Sequence, residues 1–256
     1  MRFLAQYFPD LPLSELQQHH IEEYLLYVKQ TLGCARDKCR MAAQAFSFLY
    51  KHVLKLPFVL PSKLYPRKAL VLPNIMSPQE VETLINATKT IKQRALVELF
   101  YSTGVRLEEC SKLKIADIDS KNMCIHLHQG KGRKDRKMLL SPRCLETLRA
   151  YYKTHRPKVY LFEGLWPTKG MHPRAIQHAI GQCFKYAGME DKPYTTHTLR
   201  HSFATHLLDA GTDIHTIKEL LGHSTLATTM IYLHLQTKKR QAIISPLDVL
   251  YAVNTT

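Results

Sequence analysis

The stretch Thr195–Tyr232, TTHTLRHSFATHLLDAGTDIHTIKELLGHSTLATTMIY, decides how the rest of the chain is read. Leu199, Phe203, Ala204 and Leu207 recur at helical spacing and bury one face of a helix that ends at Gly211. His197 and Arg200 stand three residues apart on that helix, so their Cβ atoms lie about 5–6 Å from each other on one face. A second helix, Ile214–Leu221, turns Ile214, Ile217 and Leu221 inward and stops at Gly222, which sets His223 just past a helix C-terminus. Thr225–Tyr232 reads as a third short helix carrying Tyr232. Packing explains the apolar residues and leaves two imidazoles, a guanidinium and a phenol. Together these make an anion site with a nucleophile.

Upstream, Ser77-Pro78-Gln79-Glu80 is a capping box with proline at the first helical position, followed by the core face Val81, Leu84 and Ile85. Ile91–Thr103 buries Ala95, Leu96, Leu99 and Phe100 before Gly104, and the short helix Arg106–Leu113 brings Arg106 and Glu109 to one side. Ile118, Met123–His128 and Lys137–Leu140 read as strands, with Lys131 between two glycines at the tip of the last hairpin. Ser141-Pro142 opens a helix buried through Leu145, Leu148 and Tyr152, and Pro173–Ala187 forms another through Ile176, Ile180, Cys183 and Phe184.

The amino-terminal part is helical in pattern. Residues 2–7 form the stub of a helix. Ser14 and Gln17 form a capping box before the stripe Ile21, Leu25, Val28 and Leu32, which Gly33 ends. A helix over Arg36–Lys55 faces Met41, Ala45, Phe48, Leu49 and His52 or Val53 inward. Its exterior is basic, with Arg36, Lys38, Arg40 and Lys51 as candidate contacts to a DNA backbone. Between Pro57 and Pro78 stand five of the 13 prolines together with Arg67 and Lys68, a stiff connection that marks a boundary. The expected division is 1–66 for a small helical domain, 67–76 for the linker and 77–256 for a larger domain with a tail.

With 256 residues, 45% of them hydrophobic, the chain can bury real cores. No apolar run approaches the roughly 20 residues that span a bilayer, and the amino end lacks a secretory pattern, so a cytoplasmic address and no membrane partner are expected. The net charge of +15, with a pI near 9.6, points to a polyanionic partner, because clustered Lys and Arg gain by releasing counterions from phosphates. The six cysteines show no Cys-x-x-Cys pair and read mostly as small core residues.

The candidate groups are Arg106, Lys131, His197, Arg200, His223 and Tyr232. Singly, each has an ordinary reading as an ion-pair partner, hairpin-tip lysine, helix cap or core aromatic. Jointly they suit phosphoryl transfer. No His-Glu-x-x-His pattern or third carboxylate ligand accompanies the histidines, so no metal or other cofactor is expected. Guanidinium groups grip two phosphate oxygens and hold transition-state charge in place of a metal. A phenol of pKa about 10 is only about a thousandth ionised at neutral pH and needs a base and a cationic setting. Once formed, its phosphate ester conserves the energy of the broken strand, and Lys131 can protonate the departing sugar oxygen.

These strings resemble the tyrosine recombinases, the phage-integrase-type site-specific recombinases. The resemblance is carried by STGVRLEE at 102–109, GKGRKDR at 130–136, HTLRHSFATHLL at 197–208 and LLGHSTLATTMIY at 220–232. It covers about residues 74–240 and, more weakly, the helices at 14–55. It implies a mainly α fold with a small three-stranded antiparallel sheet, in two domains: a small all-α DNA-binding domain and an α+β catalytic domain. Arg106 and Arg200 would hold the scissile phosphate of double-stranded DNA and Tyr232 would form a 3′-phosphotyrosyl link. Lys131 would protonate the 5′-oxygen, His197 would act as base towards the phenol and His223 would donate to the phosphate. Glu109 or Asp117 would orient the site from behind, and Arg133 and Lys134 would touch DNA. A homotetramer on two DNA sites is implied, with the apolar tail Ile243–Tyr251 packing on a neighbour or on its own domain. The expected activity is that of an integrase of a mobile element. A dimer resolvase with the same chemistry, or a non-cutting DNA-binding regulator with the same fold, are the alternatives.

Overall fold

The computed structural model describes residues 2–12, 15–31, 36–58, 72–128, 135–166 and 169–235, without the side chains of residues 2, 36, 37 and 234. Lys131, Arg133, Lys134, Arg67, Lys68 and the tail Ile243–Tyr251 lie outside these residues, and so do Ser14, Leu32 and Gly33. The chain divides into two compact units, Met1–Val71 and Leu72–Thr256.

In the first unit, helices α1 (Arg2–Tyr7), α2 (Gln18–Gln30) and α3 (Arg36–Phe48) enclose a core of Leu4, Ile21, Tyr24, Leu25, Val28, Cys39, Ala43, Phe46, Tyr50 and Phe58. Two expectations are corrected here. Helix α2 starts at Gln18 rather than at Ser14, because Gln17 and His20 form the capping box. The inward stripe of α3 is Cys39, Ala43, Phe46 and Tyr50, while Met41, Phe48 and Val53 are exposed. Both stripes have helical spacing, but the observed one buries two aromatic rings. Phe46 meets Tyr24 edge-on at 6.0 Å, Tyr50 stacks on Phe58 at 4.6 Å, and the Tyr50 hydroxyl donates to the Leu16 carbonyl at 2.9 Å. After Phe48 the helix widens into a π-turn, Leu49–Leu54, closed by Lys55 in the left-handed region.

The second unit is built around α5 (Ile91–Thr103), whose Ala95–Phe100 are all buried. A helix buried on every side over six residues belongs at a centre, with Glu98 tolerated there through its ion pair with Arg94 at 2.9 Å, and α5 packs against α4 (Pro78–Asn86), α7 (Pro142–His155), α8 (Pro173–Tyr186) and α9 (Thr196–Asp209). Helix α7 buries Tyr151 rather than Tyr152, which is exposed, so its face is Cys144, Leu145, Leu148 and Tyr151. The sheet is antiparallel in the order β1 (Ile118–Asp119), β2 (Cys124–Leu127), β3 (Arg136–Leu139), with Asp119 opposite Cys124 and Leu127 opposite Arg136. Ile125, Leu127 and Met138 point into the core, so Cys124, His126 and Lys137 face the other way. Strand β3 leans on α10 (Ile214–Leu221). The expected helix over Thr225–Tyr232 is split into α11 (Leu226–Thr229) and a 3₁₀ segment, Met230–Leu235, that carries Tyr232. No helix among the described residues is long and apolar enough to cross a membrane.

Candidate active site

The end of α10 organises the site. Gly222 takes the left-handed conformation (φ 62°), its N–H bonds to the Glu219 carbonyl at 2.9 Å, and the His223 N–H bonds to the Lys218 carbonyl at 3.0 Å. This double bond pattern is a Schellman cap, and it fixes where His223 stands. It leaves the next carbonyls without backbone donors, and three arginines supply them. Arg136 Nε donates to Leu220 O at 3.1 Å, Arg200 Nη2 to Leu221 O at 2.7 Å, and Arg106 Nη2 to Gly222 O at 2.7 Å. The negative end of a helix is the natural place for three cations. A Cβ on Gly222 would come within 2.8 Å of Arg136 Cδ, so the cap and the arginine need a glycine here.

Each arginine is fixed a second time. Arg106, the N-cap residue of α6 (Leu107–Lys112), binds Glu109 through its backbone N–H and Nη1, both at 2.8 Å. Arg136 grips both oxygens of Glu109 at 2.7 Å. Burial alone would raise the Glu109 pKa, but hydrogen bonds and charge from Arg136, then Arg106, bring it down to about 2. Arg200, on α9, is only 4% exposed and also donates to the carbonyl of Gly104, the left-handed residue that ends α5. Burial first, then the nearby Arg106, lowers its pKa to about 10, so it remains a cation at neutral pH.

His223 joins the arginines to the phenol. Its Nε2 is 3.2 Å from Arg200 Nη2 and its Nδ1 is 2.9 Å from Thr229 Oγ1. A guanidinium only donates, so Nε2 accepts and the ring proton sits on Nδ1, directed at Thr229. The Tyr232 ring lies parallel to His223 (12°, centroids 6.5 Å), and its hydroxyl is 3.0 Å from His201 Nδ1. Tyr232 is 1% exposed among Phe203, Ala204, Leu208, Ile217 and Leu221. Burial raises its pKa, and Arg200 and Arg106 pull it partly back. Burial, with the neighbouring cations and imidazoles, takes His201 and His223 to about 4, so both rings are neutral at ordinary pH.

Arg106, Glu109, Arg200, His223 and Tyr232 thus share one connected set of contacts around one helix end. His197, at the start of α9, borders a hollow of about 940 Å³ with Arg106, Glu109 and Asp117. Its pKa is lowered by burial and by the charges of Arg200 and Arg106. Its ring centroid is 6.5 Å from that of His201, and it is His201 that contacts the Tyr232 hydroxyl. Asp117 caps its own 3₁₀ turn by accepting from the Lys114 N–H at 2.8 Å and lies 3.7 Å from His128. Arg136 rather than Asp117 shares Glu109 with Arg106. In the first unit, Lys38 and Lys51 are exposed and Arg40 is half-buried. Arg136 and His201 are the two site members that spacing does not single out. One sits in a charge run, and the other directly follows an arginine that already has a role.

Two buried or half-buried guanidinium groups, a neutral imidazole and a phenol on a mainly α domain define an enzyme that transfers a phosphoryl group through tyrosine. The comparisons agree. Residues 74–239 match the phage integrase family. The "Putative integrase/recombinase y4qK" of Sinorhizobium fredii is 39% identical over 246 residues, 94% of this chain and 77% of that protein. Tyrosine recombinase XerC of Anoxybacillus flavithermus is 30% identical over 242 residues, covering 87% and 79%. Among solved structures, XerH site-specific recombinase bound to a palindromic difH substrate aligns with a TM-score of 0.77 at 23% identity, over 92% of this chain and 74% of that one. The chain belongs to the phage integrase family and is a tyrosine recombinase.

Proposed function

We propose that this chain cuts and rejoins double-stranded DNA at specific sites as the integrase of a mobile element. The Tyr232 oxygen attacks a backbone phosphorus, the sugar 5′-oxygen leaves, and the 3′ end stays on the enzyme as a phosphotyrosyl ester. A 5′-hydroxyl from the partner strand later attacks that ester and releases the phenol, so no energy-carrying cofactor is consumed. Arg106 and Arg200 hold the non-bridging oxygens. In related chemistry one preorganised donor contributes about 3–4 kcal/mol to lowering the barrier. His223 turns towards the phosphate as a donor once the anion favours its second proton, and Lys131 supplies the proton to the 5′-oxygen. Glu109 and Arg136 are positioning residues for Arg106. The basic helix with Lys38, Arg40 and Lys51 grips DNA from the first unit, and four protomers act on two sites in the cytoplasm.

The observation that carries this reading is the shared helix end, where Arg106, Arg200 and His223 meet beside Tyr232. Because Tyr232 is buried, DNA or a neighbouring protomer must release it before it can attack. The test is incubation with a nicked duplex carrying the inverted repeats that flank its gene, followed by a denaturing gel. A covalent adduct with the wild type and none with Tyr232→Phe is expected. No adduct, or an equal one with both, rejects the cutting activity. The 30% identity to XerC favours dimer resolution as the second reading. Recombination between two directly repeated sites, without insertion into a new target, would select it.

A further inference from the structure

The outward face of the sheet carries a cluster that the phosphate chemistry does not use. Asp119 on β1 stands opposite Cys124 on β2, and His126 lies two residues further along β2 on the same face. His126 Nε2 is 3.5 Å from Asp119 Oδ2 and 3.5 Å from Cys124 Sγ, and the three donor atoms lie within 4.8 Å of one another. Among the described residues this is the one such group of three His, Cys, Asp or Glu side chains. We propose that Asp119, Cys124 and His126 bind a thiophilic divalent transition-metal ion, with zinc the type case.

The distances suit such an ion. Zinc binds N and O at about 2.0–2.2 Å and S at about 2.3 Å, which places the ligands of a tetrahedron roughly 3.3–3.8 Å apart. Both 3.5 Å edges fall in that interval, and no two of the three donor atoms are more than 4.8 Å apart, so small side-chain movements close the set on an ion. The carboxylate is held in advance. Asp119 accepts from the N–H groups of Asn122 (2.9 Å) and Lys121 (3.1 Å) and from Asn122 Nδ2 (2.7 Å). Outer partners of this kind fix the orientation of a ligand. Without an ion, a half-exposed imidazole–carboxylate pair beside a thiol contributes little to stability. The S, N, O set selects zinc or cobalt over magnesium or calcium. His128 continues along the same face but lies 3.7 Å from Asp117 and 3.5 Å from Asp135. The fourth position is therefore left to water. The thiol gives its proton to solvent on binding, and the ion ties β1 to β2 away from Arg106, Arg200 and Tyr232.

The test uses the full chain, freed of metal by chelation and dialysis and then titrated with cobalt(II). Saturation at one ion per chain, with a thiolate-to-cobalt charge-transfer band that zinc displaces, is expected. Cys124→Ser loses the band, and Asp119→Asn, which keeps the turn's acceptor, weakens binding roughly tenfold or more. His126→Gln is an independent arm with the same expected loss of affinity. Absence of the band in the wild type, or a band of unchanged strength in Cys124→Ser, overturns the proposal.

Discussion

The Tyr232 hydroxyl meets one imidazole, His201, at 3.0 Å. Because burial keeps His201 neutral above about pH 4, its Nδ1 can take the phenolic proton as Tyr232 is released towards the phosphate. Replacement of His201 by Ala is expected to slow single-turnover adduct formation by about 10²–10⁴-fold. His201→Gln separates this from a merely structural contact. It keeps an acceptor for the hydroxyl but no base, so it should be as slow as the Ala variant, and wild-type speed would show that the ring only holds the phenol. His197→Ala, measured alongside, tests the role that the family resemblance gives to the neighbouring ring. The same burial makes the fold acid-sensitive. Between the ordinary histidine value of 6.5 and the folded value of about 4, the unfolded chain binds protons that His201 and His223 refuse. Stability is therefore complete above about pH 6.5 and falls as pH drops through this window. Thermal midpoints measured from about pH 7 to pH 4.5 should decline more shallowly in the double variant His201→Gln/His223→Gln.

At the scale of elements, the C-terminus of α10 is the part on which everything else is hung. Arg136 and Glu109 are each about one-tenth exposed at the side chain; without Arg136 the carboxylate keeps only Arg106, and without Glu109 two neighbouring guanidinium groups lose the counter-charge they share. Arg136→Ala is expected to cost about 1.5–3 kcal/mol of stability by urea unfolding, and to slow adduct formation by loosening Glu109 and with it Arg106. Arg136→Met combined with Glu109→Gln should cost clearly less than the sum of the two single changes, since the cycle removes both charges together. Additive costs would mean that the pair is not coupled. Much of this arrangement was legible beforehand. Gly222 after an apolar helix marks a left-handed cap and thereby places His223, and the His197–Arg200 spacing gives α9 its polar edge. Arg136 was not, because within GRKDRK nothing marks which cation turns inward; that depends on its register opposite Leu127. The buried face of α3 differs from the expected one for a related reason. Two stripes of equal period compete, and the winner is set by Tyr24 and Phe58, partners that lie outside the helix.

At the scale of the whole molecule, the charge of +15 far exceeds what the site itself employs. In the proposed mechanism Arg106 and Arg200 serve one scissile phosphate, and Arg136 is consumed by Glu109 and a backbone carbonyl. If only the site touched DNA, about one to three phosphates would be neutralised, and affinity would change gently with salt. A chain that spreads its exposed lysines along a duplex neutralises many more. The logarithm of affinity then falls by about 0.9 per phosphate for each unit in log salt, and six to ten contacts cost roughly 10³–10⁵ in affinity between about 50 and 200 mM. We expect the steep response for a duplex bearing the recombination site, measured by anisotropy with Tyr232→Phe so that binding is not mixed with cutting. Lys38→Ala/Lys51→Ala should reduce the slope by about two while leaving the preference for the specific site intact, since phosphate contacts position the protein without reading bases. A slope unchanged by that pair would move the DNA grip away from the first unit, and a slope near two for the parent protein would mean that the basic surface serves some other polyanion.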